Sequence, residues 1–137
     1  MGAWGSGVFE NDTAQDFLHD YEEGGAGVIE DAFATVEASV ADGYIDADNG
    51  SMALVAAEIV AAAFGKPLAT LSKEETDQIG VHFDDVTQLT DIQGRARTAA
   101  TAILGDGVGS ELFELWDEAG QAEIWRATVT DLLVRLA

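Results

Sequence analysis

The run MALVAAEIVAAAF, residues 52 to 64, is apolar on every side except at Glu58. Gly50-Ser51 before it and Gly65-Lys66-Pro67 after it supply a start and a stop for a helix. A surface helix carries its apolar residues as one stripe, whereas a helix apolar all round is enclosed by its neighbours. The run therefore predicts a central, most buried helix, and the flanking chain has to supply its cover.

Helical periods recur on both sides of it. Ala14, Phe17, Leu18 and Tyr21 share one helical face, with Asn11 or Asp12 at the N-cap position, so a first helix begins near residue 13. Glu22-Glu23-Gly24-Gly25 ends that pattern, and Ile29, Ala32, Phe33, Val36 and Val40 trace a second face that stops near Asp42-Gly43. Ser72 with Glu75 three residues later forms a capping box for a short helix. Ile92, Ala96, Ala99, Ala100 and Ile103 trace another stripe, ending at Gly105. Ser110 caps a helix of one or two turns over Glu111 to Trp116, and Trp125, Val129, Leu132, Leu133 and Leu136 form the cleanest face of all. Val81 to Leu89 is ambiguous. No alternating strand pattern and no internal repeat is visible.

Ahead of the first helix, Gly2, Gly5 and Gly7 bracket Trp4, permitting backbone turns around a side chain too large to leave in water cheaply. This predicts an ordered, non-helical clasp, with Trp4 and Phe9 buried against the first and last helices. The expected fold is all-α: residues 1 to 137 form a single compact bundle of about six helices closed by that clasp.

Composition narrows the function. A chain of 137 residues suffices for one core, and a hydrophobic fraction of 47% excludes a disordered tail. No apolar run reaches the ~18 to 20 residues of a membrane-spanning helix. The first residues carry neither a positive stretch nor a continuous apolar one, so no secretory signal is read and a cytoplasmic location is expected. With no cysteine there is no disulfide framework, thiolate nucleophile or cysteine zinc site.

Asp and Glu number 26 against 6 Lys and Arg, a net charge of −20. Nucleic-acid binding relies on basic side chains displacing counterions, and anionic membranes need basic patches, so direct binding to either is disfavoured. A basic protein partner or a metal cation remains, alongside the plainer reading that an acidic surface serves solubility or reflects composition.

Glu58 is the sharpest candidate site residue. A lone carboxylate on an apolar helix either faces a cleft, as a general acid or metal ligand, or is buried with a structural partner such as the clasp or one of Arg95, Arg97, Arg126 and Arg135. Asp46 and Asp48, in DADNG, resemble part of a calcium loop, but Gly50 arrives one residue early and Ala57 falls where the bidentate Glu belongs. A helix N-cap with an Asx-turn explains the same residues. His19 and His82 are the only histidines and form no HExxH pair; His19 is the weaker companion of Glu58 as a catalytic candidate. No G-x-S-x-G elbow is present to anchor a hydrolase triad. Gly2 with Ser6 fits the myristoylation pattern, though without the basic patch a single acyl chain needs. Gly5-Ser6-Gly7 lacks the strand and the Gly-Lys-Ser or Gly-Lys-Thr of a phosphate loop. Trp4, Trp116 and Trp125 read as core, with a pocket lining as the alternative.

The opening MGAWG, then Gly7, Phe9, Asn11-Asp12 and the Ala14-x-Asp16 step, resembles an uncharacterised bacterial family, the domain of unknown function numbered 4259. Tyr44 to Ser51, Ala53 to Gly65, Ser110-Glu111-Leu112, Leu115-Trp116 and Trp125-Arg126 are similar to it as well, while residues 66 to 94 match less well. The resemblance implies no catalytic or binding residue, because the family supplies none.

Three functions are compatible with these residues. The preferred one is a binding or regulatory module, like an immunity protein or inhibitor, whose acidic surface meets a basic protein; no cofactor is expected. The second is a metal-binding protein or hydrolase built around Glu58, and the third a nucleic-acid mimic whose carboxylates imitate phosphates. No catalytic set is assembled, so a non-enzymatic role is expected, and oligomeric state is not legible.

Overall fold

A computed structural model describes residues 7 to 137. Asn11 opens the first helix by accepting the Ala14 amide on its side chain at 2.8 Å. Helix α1, Asp12–Gly24, is followed by α2, Ala26–Asp42, the two-residue strand β1, Tyr44–Ile45, and α3, Ala47–Ala63. Then come α4, Lys73–Gly80, α5, Phe83–Thr87, and α6, Ile92–Ile103. Strand β2, Gly109–Ser110, leads into α7, Glu111–Glu118, and α8, Ala122–Leu136. The fold is all-α, 73% helical, with eight helices among the described residues against the six or so expected; seven of the eight lie where a helical pattern is traced above. The unanticipated helix is α5, whose five residues are too few to display a helical period.

Helix α3 is the hub and packs against all seven other helices. Every residue from Ala53 to Ala62 is buried, as an all-apolar helix requires. It begins earlier than Gly50-Ser51, because Asp46 caps it by accepting the Asn49 amide at 2.8 Å. Gly50 is instead an interior position where α7 comes close: a Cβ there would stand 3.1 Å from Leu112 Cδ1. Absence of a side chain thus marks close packing, which a reading of glycine as punctuation cannot distinguish from a helix start.

The covering helices bury the stripes their spacing predicts. Ala14, Phe17, Leu18 and Tyr21 of α1 are buried, as are Ile92, Ala96, Ala99, Ala100 and Ile103 of α6 and Trp125, Val129, Leu132 and Leu136 of α8. On α2, Ile29, Ala32, Phe33 and Val36 are buried, but Val40 is 40% exposed. The last turn of α2 overshoots the core there. The strands β1 and β2 pair in parallel through Tyr44 with Gly109 and Ile45 with Ser110, pinning the α2–α3 turn to the α6–α7 turn. Two residues cannot show a period of two, so no alternation announced them.

Helix ends are closed reciprocally. The Tyr21 hydroxyl of α1 donates to the Ile79 carbonyl in the last turn of α4, while the His82 ring donates Nε2–H to the Glu22 carbonyl near the end of α1 at 2.9 Å. Arg97 of α6 donates to the Leu136 carbonyl ending α8 at 2.8 Å, and Arg126 of α8 donates to the Leu104 carbonyl ending α6 at 2.9 Å. Each pair answers the unpaired carbonyls that every helix C-terminus leaves.

Of the clasp, Val8 and Phe9 are buried and Glu10 closes a turn onto the Gly7 carbonyl at 3.0 Å. Val8 lines one small cavity with Leu54 of α3, Leu112 and Trp116 of α7 and Trp125 of α8. Trp4 lies outside the described residues.

Candidate functional site

Glu58 sits at the middle of α3 with 1% of its side chain exposed. A carboxylate so placed needs a countercharge and bonds for both oxygens. Arg135 of α8 supplies them, with Nη1 to Oε1 at 2.7 Å and Nη2 to Oε2 at 2.8 Å. The parallel two-point geometry is the strongest form of this ion pair. Arg135 also donates Nε to Asp131 at 2.9 Å and Nη1 to the Lys66 carbonyl at 3.4 Å, the latter in the segment leaving α3. Hydrogen bonding to Glu58 holds the guanidinium above the ordinary arginine range, against the opposing effect of burial. Glu58 is not among the lining residues of the cleft described below, and each of its oxygens accepts from Arg135.

The other candidates are not gathered around it. His19 is exposed on α1, 3.4 Å from Glu23 one turn later. Asp46 caps α3 and also accepts from the Asn49 side-chain amide at 3.0 Å. Asp48 accepts from the Thr13 hydroxyl at 3.3 Å. Among the described residues, no group of three or more His, Cys, Asp or Glu side chains is placed to hold a metal ion. Trp125 is buried, tilted against Phe113 at 6.4 Å between ring centres, and Trp116 is half-buried.

What the structure does organise is charge. All four arginines bind across helices: Arg95 reaches from α6 to Glu37 at 2.9 and 3.0 Å and to Glu30 at 3.4 Å on α2, Arg97 and Arg126 join α6 with α8, and Arg135 joins α8 with α3. Arg126 also grips Asp106 at 3.0 Å and lies over the Phe113 ring. Of the carboxylates, only Glu58 is buried and Glu30, Glu75 and Glu111 are half-buried; every other one is exposed. Only Lys66 and Lys73 are left to offset them, and Lys73 is already paired with Asp77 at 2.8 Å.

Sequence reasoning missed a cleft of about 170 Å³ where α1, α2 and α3 meet. Phe17, Val28, Ala32 and Met52 are among its lining residues, together with the carboxylates of Asp20 and Asp31. The signal was present as an apolar residue followed three positions later by Asp on both α1 and α2, Phe17 with Asp20 and Val28 with Asp31. That spacing puts each carboxylate beside its apolar neighbour on one helix face. Nothing local says that the two faces converge.

An acidic all-α bundle with its arginines engaged between helices is what the fold and charge define. The family model described as Domain of unknown function (DUF4259) matches residues 2–128, and the chain belongs to that family. The match contains Glu58 and ends before its partner Arg135. No curated protein and no solved structure shows a significant match to the chain. No helix among the described residues is long and apolar enough to cross a membrane.

Proposed function

We propose that the protein is a cytoplasmic binding or regulatory module whose acidic surface docks a basic protein. The carrying observation is the division of charge: every arginine is engaged in ties between helices, while every carboxylate but Glu58 is exposed or half-buried with two lysines against them. Such a surface repels phosphate backbones and anionic lipids and attracts a basic partner over a Debye length of ~10 Å at moderate salt. Complementary charge of this kind raises the association rate and selects against acidic competitors. No observation favours the two alternatives. Both oxygens of Glu58 are held by Arg135, and His19 stands on the exposed side of α1 with Glu23.

The test is capture on the immobilised chain from its own cell extract at about 50 mM salt, where exposed charges are least screened. Captured proteins are identified, purified and remixed with the chain. A basic protein forming a stoichiometric complex that weakens steeply with salt is expected. Recovery of no such protein overturns the proposal.

A further inference from the structure

We infer that the cleft between α1, α2 and α3 is the seat for one arginine or lysine side chain of that basic partner, an inference that rests on the docking function proposed above. Phe17 of α1, Val28 and Ala32 of α2 and Met52 of α3 supply the apolar part of the lining, and Thr35 of α2 and Asn49 of α3 complete it, the Thr35 hydroxyl donating to the Asp31 carbonyl and the Asn49 amide to Asp46. Two carboxylates belong to its lining, Asp20 from α1 and Asp31 from α2, and neither side chain has a hydrogen-bond or ion-pair partner among the described residues.

Size limits the occupant. At about 170 Å³ the cleft is close to the ~150 Å³ cavity that admits a benzene-sized guest, so it takes one side chain and not the face of a helix. Chemistry limits it further. A purely aliphatic side chain would cover the apolar part and leave two carboxylates unpaired beside a surface of low dielectric. A metal ion would gain those carboxylates but lie beside Phe17, Val28, Ala32 and Met52, and among the described residues no third His, Cys, Asp or Glu is placed to complete its ligands. Phosphate and other anions are repelled. A lysine or arginine has the matching form, an aliphatic stem for the apolar part and a cationic head for the carboxylates. The guanidinium fork also matches the planar geometry of a carboxylate.

The surroundings of Asp20 agree with this. It stands in the second half of α1, with Glu22 and Glu23 following and no basic residue in the last turn. Carboxylates near a helix C-terminus oppose the macrodipole, and Asp16 and Asp20 repel each other one turn apart. His19 is the nearest basic side chain on this helix, and its contact is with Glu23. An incoming cation relieves both costs.

The test uses the isotope-labelled full chain in NMR titrations with a capped alanine peptide carrying a single central arginine. A second peptide replaces the arginine with citrulline, which keeps the shape and removes the charge. Shift changes clustered at Phe17, Val28, Ala32 and Met52 with the arginine peptide, and absent with citrulline, are expected. Asp20→Asn and Asp31→Asn are exposed substitutions that leave folding intact, and each should weaken binding roughly two- to fivefold, while Asp117→Asn on α7 should not. Shifts spread over the whole acidic surface, equal weakening by all three substitutions, or equal binding of citrulline overturns the seat. A captured basic partner that binds Asp31→Asn as tightly as the parent chain also overturns the seat but leaves the docking function standing. A chain that binds the arginine peptide in the cleft yet captures no basic protein supports the seat and overturns the docking function.

Discussion

The Tyr21 hydroxyl donates to the Ile79 carbonyl at 2.6 Å, so a side chain from the first helix closes the last turn of a helix that begins at Lys73. Both ends of this bond are buried. Tyr21→Phe keeps the ring and removes the donor, leaving the buried Ile79 carbonyl without this partner. The expected cost is about 1 to 3 kcal/mol in urea unfolding, the penalty of an unpaired buried acceptor. An unchanged midpoint would mean that the α4 terminus relaxes freely.

Tyr21 also carries a pH prediction. Burial pushes its phenol up to about 12; a backbone hydrogen bond from His82 opposes this, and the Asp85 charge adds a smaller push upward. The unfolded phenol titrates near 10, so the folded state holds its proton longer. The stabilisation is therefore fully present below pH ~10 and is lost as pH rises to about 12. Plotted against pH, the stability difference between the parent and Tyr21→Phe should shrink across that window. A flat difference would refute the coupling.

The Glu58–Arg135 pair should respond asymmetrically. Arg135→Met strands a carboxylate with 1% exposure and should cost about 3 to 5 kcal/mol. Glu58→Gln should cost less, because Arg135 is 14% exposed and keeps Asp131. The double change Glu58→Leu with Arg135→Met should recover much of the loss, since a well-packed apolar pair can replace a buried ion pair. Chemical denaturation of the three variants checks the order.

Two neighbouring glycines should give opposite signs. Gly25, between α1 and α2, has φ 76° and ψ −158°, a region essentially reserved for glycine. Gly25→Ala should cost about 1 to 3 kcal/mol. Gly27 lies inside α2, and a Cβ there would meet nothing within 4 Å. Gly27→Ala should stabilise by up to about 1 kcal/mol through helix propensity. Thermal melts of the two variants should move apart.

Salt should stabilise the folded chain. A net charge of −20 disfavours compactness, and screening relieves it, while the Arg135 pair is partly shielded from solvent. Raising sodium chloride from about 10 to about 500 mM should raise the melting temperature. A fall would mean that the exposed ties such as Arg126 with Asp106 outweigh the repulsion.

The sequence made the helical faces readable wherever one face is buried over several turns, as on α1, α6 and α8, because burial then repeats at the helical period. The side-chain caps at Asn11, Ser72 and Ser110 were readable for the same local reason. Features that depend on distant partners were not. Gly50 gives no sign that Leu112 packs on it, and Glu58 announces a need for a partner without choosing among four arginines. The β1–β2 pairing joins segments 65 positions apart, and the Asp20–Asp31 cleft exists only because α1 and α2 meet over Met52.

Confining the arginines to ties between helices separates two kinds of evolutionary freedom. An exposed carboxylate outside those ties can move to a neighbouring surface position at little energetic cost, so the pattern of negative charge can drift toward a changing partner. Arg97, Arg126 and Arg135 cannot move without unpairing a helix end or a buried acid, and moving Arg95 gives up its tie from α6 to α2. Selection on recognition can thus proceed without reopening the question of how the chain folds.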